Sequence, residues 1–101
     1  MMRTENQASD ARVALITGGI VLTRSLAKWL APYGITANTI SPGFIDTGSV
    51  PQEEIARFIP GIPAGYVGSP QDAVSAVCYL LSDEARYVNG TNIHLSGGWG
   101  V

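Results

Sequence analysis

A chain of 101 residues that is 46% hydrophobic and 14% charged has the size and composition of one small domain with a single core. Its net charge of -2, with Lys28 as the only lysine, supplies no clustered cation footprint and excludes a nucleic-acid partner as an expectation. No stretch approaches the ~18 apolar residues that cross a bilayer, and the single cysteine, Cys78, excludes an intrachain disulfide and a thiolate metal cluster, so no membrane partner and a cytoplasmic setting are expected.

The first eleven residues, MMRTENQASDA, are polar and lack the continuous apolar run of a secretory leader. They read as a flexible tail ahead of a single domain over 12–101. Val13-Ala14-Leu15-Ile16 is a short apolar run closed by Thr17-Gly18-Gly19, the pattern of a strand buried on both faces of a parallel sheet. Over 21–33, Leu22, Leu26, Trp29, Leu30 and Tyr33 recur at three- and four-residue spacing, which predicts an amphipathic helix that Gly34 stops and Pro32 tightens in its last turn. The 35–41 segment alternates Ile35, Ala37 and Thr39 against Thr36, Asn38 and Ile40 and runs into Pro42-Gly43, a strand followed by a turn.

Pro51 followed by Gln52, Glu53 and Glu54 places a proline and two acids in the first turn of a short helix that ends before Pro60. A loop follows to Gly68. Ser69-Pro70-Gln71-Asp72 then combines an N-cap serine, a proline at the first helical position and an acid three residues after the cap. The helix it opens, over 70–81, carries Ala73, Val74, Val77, Cys78, Leu80 and Leu81 as a broad apolar stripe suited to a sheet, with Cys78 read as a small buried hydrophobe. Ser82-Asp83-Glu84 caps a further turn, Asn89-Gly90 is a turn signal, and 91–95 alternates as a final strand before Gly97-Gly98-Trp99-Gly100. Strands alternating with helices define an α/β fold.

Two turns carry the chemistry. A glycine turn between a buried strand and a helix brings phosphate against free backbone N–H groups, and Thr17-Gly18-Gly19 is either the start of such a loop or an ordinary strand-ending turn. Ser41-Pro42-Gly43-Phe44-Ile45-Asp46-Thr47 follows the second strand and by itself is a turn. Taken with Val67-Gly68-Ser69-Pro70-Gln71-Asp72, Leu80-Leu81-Ser82-Asp83 and the run from Asn89 to Trp99, these segments resemble the short-chain dehydrogenase/reductase family, and in particular its 3-oxoacyl-acyl-carrier-protein reductases.

The resemblance implies a Rossmann-type parallel sheet of about three strands flanked by helices, and NAD or NADP as cofactor. It assigns cofactor contacts to Thr17, Gly18, Gly19, Pro42, Gly43, Ile45 and Thr47, with the backbone of Ile45 on the nicotinamide carboxamide and the Thr47 hydroxyl on the carboxamide or a phosphate. In the family pattern two further glycines follow the first pair, and here Leu22 and Arg24 stand at those positions. Side chains there oppose the close backbone approach a pyrophosphate needs.

Family catalysis uses a tyrosine acid/base, a lysine four residues later and a serine from an earlier strand. Tyrosine has an ordinary pKa of about 10 and needs a neighbouring cation to work near neutrality. Lys28 is preceded at four residues by Arg24, and Tyr33, Tyr66, Tyr79 and Tyr87 are followed at four by Ala37, Pro70, Asp83 and Thr91, so the pair is absent. No catalytic residue and no metal ligand set is assigned. His94 reads as a structural or surface residue, the paired acids Glu53-Glu54 and Asp83-Glu84 as solvated helix-dipole partners, and Trp29 and Trp99 as packing or interface residues.

One seam, between Ile20 and Val21, accounts for the missing glycines, ribose acid and catalytic residues together, with the first strand joined to a helix from late in the family's order. The expected function is an NAD(P)-dependent oxidoreductase by ancestry, acting on a ketone or alcohol, without catalytic competence in this form. The alternatives are a non-catalytic interaction module, forming a homo-oligomer or joining full-length relatives, and a deletion product without selected function. In the parent order the first two strands are not neighbours, so joining them here requires a new pairing.

Overall fold

The computed structural model describes residues 12–101; the expected tail, 1–11, lies outside the described residues. Three parallel strands form one sheet in the order β1-β2-β3, with β1 at Val13–Thr17, β2 at Thr36–Pro42 and β3 at Asn92–Leu95. Val13 lies opposite Thr36 and Thr17 opposite Ile40, so β1 pairs directly with β2 along its whole length. Thr39 opposite Asn92 and Pro42 opposite Leu95 set the second register. All three C-terminal ends therefore emerge on one side of the molecule.

The connection from β1 to β2 is α1, Ile20–Leu30, which packs on β2 and tightens into a 3-10 turn at Ala31–Tyr33. The helix expected over 21–33 thus begins one residue earlier, at Ile20, and its last turn is the one Pro32 tightens. Pro32 lacks the N–H that an α-helical turn would use, and the chain contracts to i→i+3 bonding before Gly34 stops it at φ 75. Only glycine adopts that left-handed conformation without Cβ strain.

The second connection holds two helices, α2 at Gln52–Phe58 and α3 at Pro70–Leu81, with a 3-10 turn at Ile59–Gly61 between them and another at Asp83–Ala85 after α3. Pro51 is the N-cap of α2 rather than its first helical residue. In α3 the Asp72 carboxylate accepts the Ser69 backbone N–H at 2.8 Å and the Ser69 hydroxyl at 3.2 Å, satisfying a group the helix leaves free.

The burial of β2 differs from a strand with one wet face. Ala37, Asn38, Thr39 and Ile40 are all buried, because β2 is the central strand and is covered on both sides. Its polar members are each satisfied. Asn38 donates to the Val88 carbonyl at 3.0 Å and accepts the Thr91 N–H at 3.0 Å, while the Thr39 and Thr23 hydroxyls bond each other between β2 and α1. Asn89 accepts the Ala37 N–H at 2.9 Å and donates to the Ala27 carbonyl at 3.0 Å, tying the turn before β3 to both β2 and α1.

The stripe on α3 is narrower than its sequence implies. Leu80 is buried, but Val74, Cys78 and Leu81 are exposed. Cys78 is thus corrected from a buried hydrophobe to a surface thiol. The three-stranded sheet is too small to cover an arc of that width, and α1 likewise leaves Val21, Leu22 and Trp29 in solvent.

Candidate cofactor site

β1 ends in Thr17 and turns at Gly18, whose φ of 68 is open only to glycine-like backbone. A Cβ at Gly18 would meet nothing within 4 Å, so the turn presents bare backbone to open space. Gly19 is the N-cap of α1, its carbonyl accepting the Thr23 N–H at 2.7 Å. Ile20, Val21 and Leu22 follow it in the first helical turn, where N–H groups have no intrahelical acceptor. The donors suit an anion, yet the side chains around them are exposed and apolar. Leu22 and Arg24 both stand on the surface of α1, so the turn fits a close-lying pyrophosphate poorly.

β2 ends in Pro42, one strand away. Gly43 donates its N–H to the Leu95 carbonyl at 2.9 Å, and a Cβ on it would lie 3.1 Å from the Ser96 Cα, so glycine is what lets the chain pass β3 here. The 44–47 segment is then anchored by a parallel bridge between Ile45 and Gly68. That bridge uses the Phe44 carbonyl, which accepts the Gly68 N–H at 2.9 Å, and the Asp46 N–H, which donates to the Gly68 carbonyl at 2.8 Å. Successive residues of an extended segment point their backbone groups to opposite edges. The N–H and C=O of Ile45 therefore face away from Gly68, positioned as a donor and acceptor pair for a planar amide.

Beyond the bridge, Asp46 accepts the Gly48 N–H at 2.9 Å and the Thr47 hydroxyl lies 3.0 Å from that of Ser49. Thr47 is exposed, so its hydroxyl can exchange this partner for a ligand. Phe44 fixes the loop from below: it stacks on Phe58 of α2 at a centroid distance of 4.7 Å and meets Trp99 edge-on at 4.7 Å. Such contacts add to apolar burial and favour one loop position.

The fold brings Thr17, Gly18 and Gly19 to the same side of the sheet as Pro42, Gly43, Ile45 and Thr47, on adjacent strands. It does not gather them into one cavity. One cavity, of about 310 Å³, is lined by Ile45 together with Tyr66 of the loop before α3, Asp72 of α3, and His94 and Ser96 at the end of β3. Of its lining only Ile45 is assigned from sequence, because Tyr66, Asp72 and the stretch from His94 to Ser96 lie in separate segments and become neighbours only through the Ile45–Gly68 bridge and the β2–β3 register. The one available signal was the Ser96-Gly97-Gly98 turn, which follows the last strand at the end where parallel sheets place ligands. His94 is exposed, with Nε2 3.3 Å from the Asn92 side-chain nitrogen, in keeping with a surface residue. Among the described residues no cluster of His, Cys, Asp and Glu has metal-binding geometry, and no helix is long and apolar enough to cross a membrane.

Residues 6–100 match the family model described as Enoyl-(Acyl carrier protein) reductase. The 3-oxoacyl-acyl-carrier-protein reductase FabG of Vibrio cholerae serotype O1 is 36% identical over 99 residues, an alignment covering 94% of this chain and 41% of that protein. The chain thus spans about two fifths of the length of the curated relatives it matches. Among solved structures, 4-hydroxyisoleucine dehydrogenase complexed with NADH and succinate superposes with a TM-score of 0.72 at 36% identity, over 80% of this chain and 34% of that one. A blue fluorescent protein from a metagenomic library, in complex with NADPH, gives a TM-score of 0.74 at 32% identity, over 81% of this chain and 34% of that one.

Proposed function

Since the chain belongs to the short-chain dehydrogenase/reductase family, we propose that it retains the nicotinamide side of an NAD(P) site and, taken alone, carries out no hydride transfer. The observation that carries this reading is the outward-facing backbone of Ile45, held by the bridge to Gly68 on a loop braced by Phe44. Ile45 and Thr47 would hold the carboxamide, with Pro42 and Gly43 beneath the ring. Thr17, Gly18 and Gly19 would meet the phosphates only loosely, because Leu22 and Arg24 keep the cofactor at a distance. The NADH- and NADPH-bound neighbours support a nicotinamide cofactor without choosing between the two forms.

When bound, a reduced nicotinamide supplies a hydride to a carbonyl carbon. The carbonyl oxygen then needs a proton, and none of the four tyrosines of this chain has a lysine four residues on. A ketone or alcohol substrate would therefore be oriented without being reduced. We place the domain over 12–101 in the cytoplasm, in line with its single cysteine.

Purified chain should show no oxidation of NADPH or NADH above background with acetoacetyl or simple ketone substrates. Titration with either cofactor should quench Trp99, which touches the loop through Phe44, and leave Trp29, exposed on α1, unchanged. Turnover that disappears on changing a residue of this chain would overturn the first half of the proposal, and quenching equal in Trp99→Phe and Trp29→Phe variants would overturn the second.

A second reading, self-association or association with full-length relatives, is favoured by the exposure of Val21, Leu22 and Trp29 on α1 and of Val74 and Leu81 on α3. Exposed apolar patches of this kind mark contact surfaces. Light scattering separates the two readings, because a strictly monomeric chain at high concentration has no use for those faces.

A further inference from the structure

β1 has the composition of a central strand and the position of an edge strand. Its five residues, Val13–Thr17, contain no charge and no proline, and among the described residues it pairs with β2 on one side and with nothing on the other. Natural edges are blunted by charge, proline or bulges. β1 has none of these.

The geometry of the open edge is determined by the pairing on the closed one. The Thr36 N–H donates to the Arg12 carbonyl at 2.7 Å, and Val13 lies opposite Thr36, so Arg12, Ala14 and Ile16 direct their backbone groups to β2. Val13, Leu15 and Thr17 consequently direct theirs outward, because backbone groups alternate along a strand. Leu15 is the middle residue of the five, and it is 40% exposed.

We propose that this edge is closed by β1 of a second copy, antiparallel about a two-fold axis through Leu15, giving one continuous six-stranded sheet; this surface rests on the self-association reading. The occupant follows from symmetry. An odd number of residues with the central one facing outward is self-complementary: Leu15 pairs with the partner's Leu15, and Val13 pairs with the partner's Thr17 and the converse. Three hydrogen-bonded pairs exchange two bonds each, about six in all. The half-exposed Leu15 side chains meet on one face across the axis, and Arg12 lies opposite the partner's Gly18, so like charges do not oppose each other. A strand from any other source would have to supply the same outward register and an apolar residue at its centre; a second copy supplies both by construction.

Light scattering on the full chain should give twice the 10.6 kDa mass of one copy, and Leu15→Lys should return it to one copy with unchanged far-UV circular dichroism. In a hydrogen-bonded antiparallel pair the two central Cα atoms are about 5.5 Å apart, within reach of a short bifunctional thiol cross-linker. Leu15→Cys in a Cys78→Ser background should therefore be joined by bismaleimidoethane into a covalent dimer, whereas Val21→Cys in the same background, 79% exposed on α1, should not.

A monomeric wild-type chain would overturn both the edge pairing and the broader self-association reading. A dimer that survives Leu15→Lys, or fails to cross-link through position 15, would overturn the edge pairing and leave association through α1 or α3 standing. If Leu15→Lys does not fold, the cross-linking pair of variants decides alone.

Discussion

Asn38 is fully buried in the central strand, and its amide spends both ends on the turn that leads into β3. An asparagine in a strand is usually a poor choice, but here the side chain adds two bonds to that turn beside the backbone bonds from the Gly90 N–H to the Ala37 carbonyl and from the Thr39 N–H to the Thr91 carbonyl. Asn38→Ala would leave the Val88 carbonyl and the Thr91 N–H without that partner. Each orphaned buried group costs roughly 1–3 kcal/mol, so a loss of about 2–6 kcal/mol is expected in urea unfolding. Alternation alone placed Asn38 on a face with Thr36 and Ile40, and it could not tell a buried clamp from a wet surface. Cys78 shows the converse. Its position on an apolar stripe was legible, while its exposure depends on how much sheet lies beneath the helix.

Local elements were the most readable level, because their signals act within a turn or two. Ser69, Pro70 and Asp72 start α3 where the spacing says they should, through the Asp72 carboxylate on the Ser69 N–H. Asp72→Ala should lower stability by about 1 kcal/mol, read as a shift in the urea midpoint with an unchanged slope. The bridge between Ile45 and Gly68 was not readable, since it joins segments that carry no strand pattern of their own. Gly68→Pro removes the N–H that the Phe44 carbonyl accepts and should loosen the bridge, so amide exchange at Asp46, whose N–H donates to the Gly68 carbonyl, should accelerate toward that of an open loop while α1 stays protected.

At the scale of the molecule, two crossovers in succession build a sheet of three parallel strands, and β2 alone is covered on both sides. Helices that would cover a broader sheet then have faces to spare, which is why Val21, Leu22, Val74 and Leu81 stand in solvent. Replacing Val21 and Leu81 together by serine should reduce binding of a hydrophobic dye and cost little stability, within about 0.5 kcal/mol for each surface change. A larger loss would show that these side chains are already packed in solution. The same narrowness bears on function. A site at the ends of parallel strands is assembled from neighbouring loops, and with β1 beside β2 the glycine turn and the 42–47 loop share one side of the sheet without closing around a common cavity.

The order of elements, the start of α3, the stop at Gly34, the family and the absence of a Tyr-x-x-x-Lys pair were all determined by the amino-acid sequence by itself, because each depends on residue type at short spacing. The direct pairing of β1 with β2, the two-sided burial of Asn38, the outward backbone of Ile45 and the exposure of Cys78 were decided only by the tertiary structure. Each of these depends on which distant segment comes to lie alongside, and periodicity, which reports the direction of a side chain along its own element, holds no record of what stands opposite it.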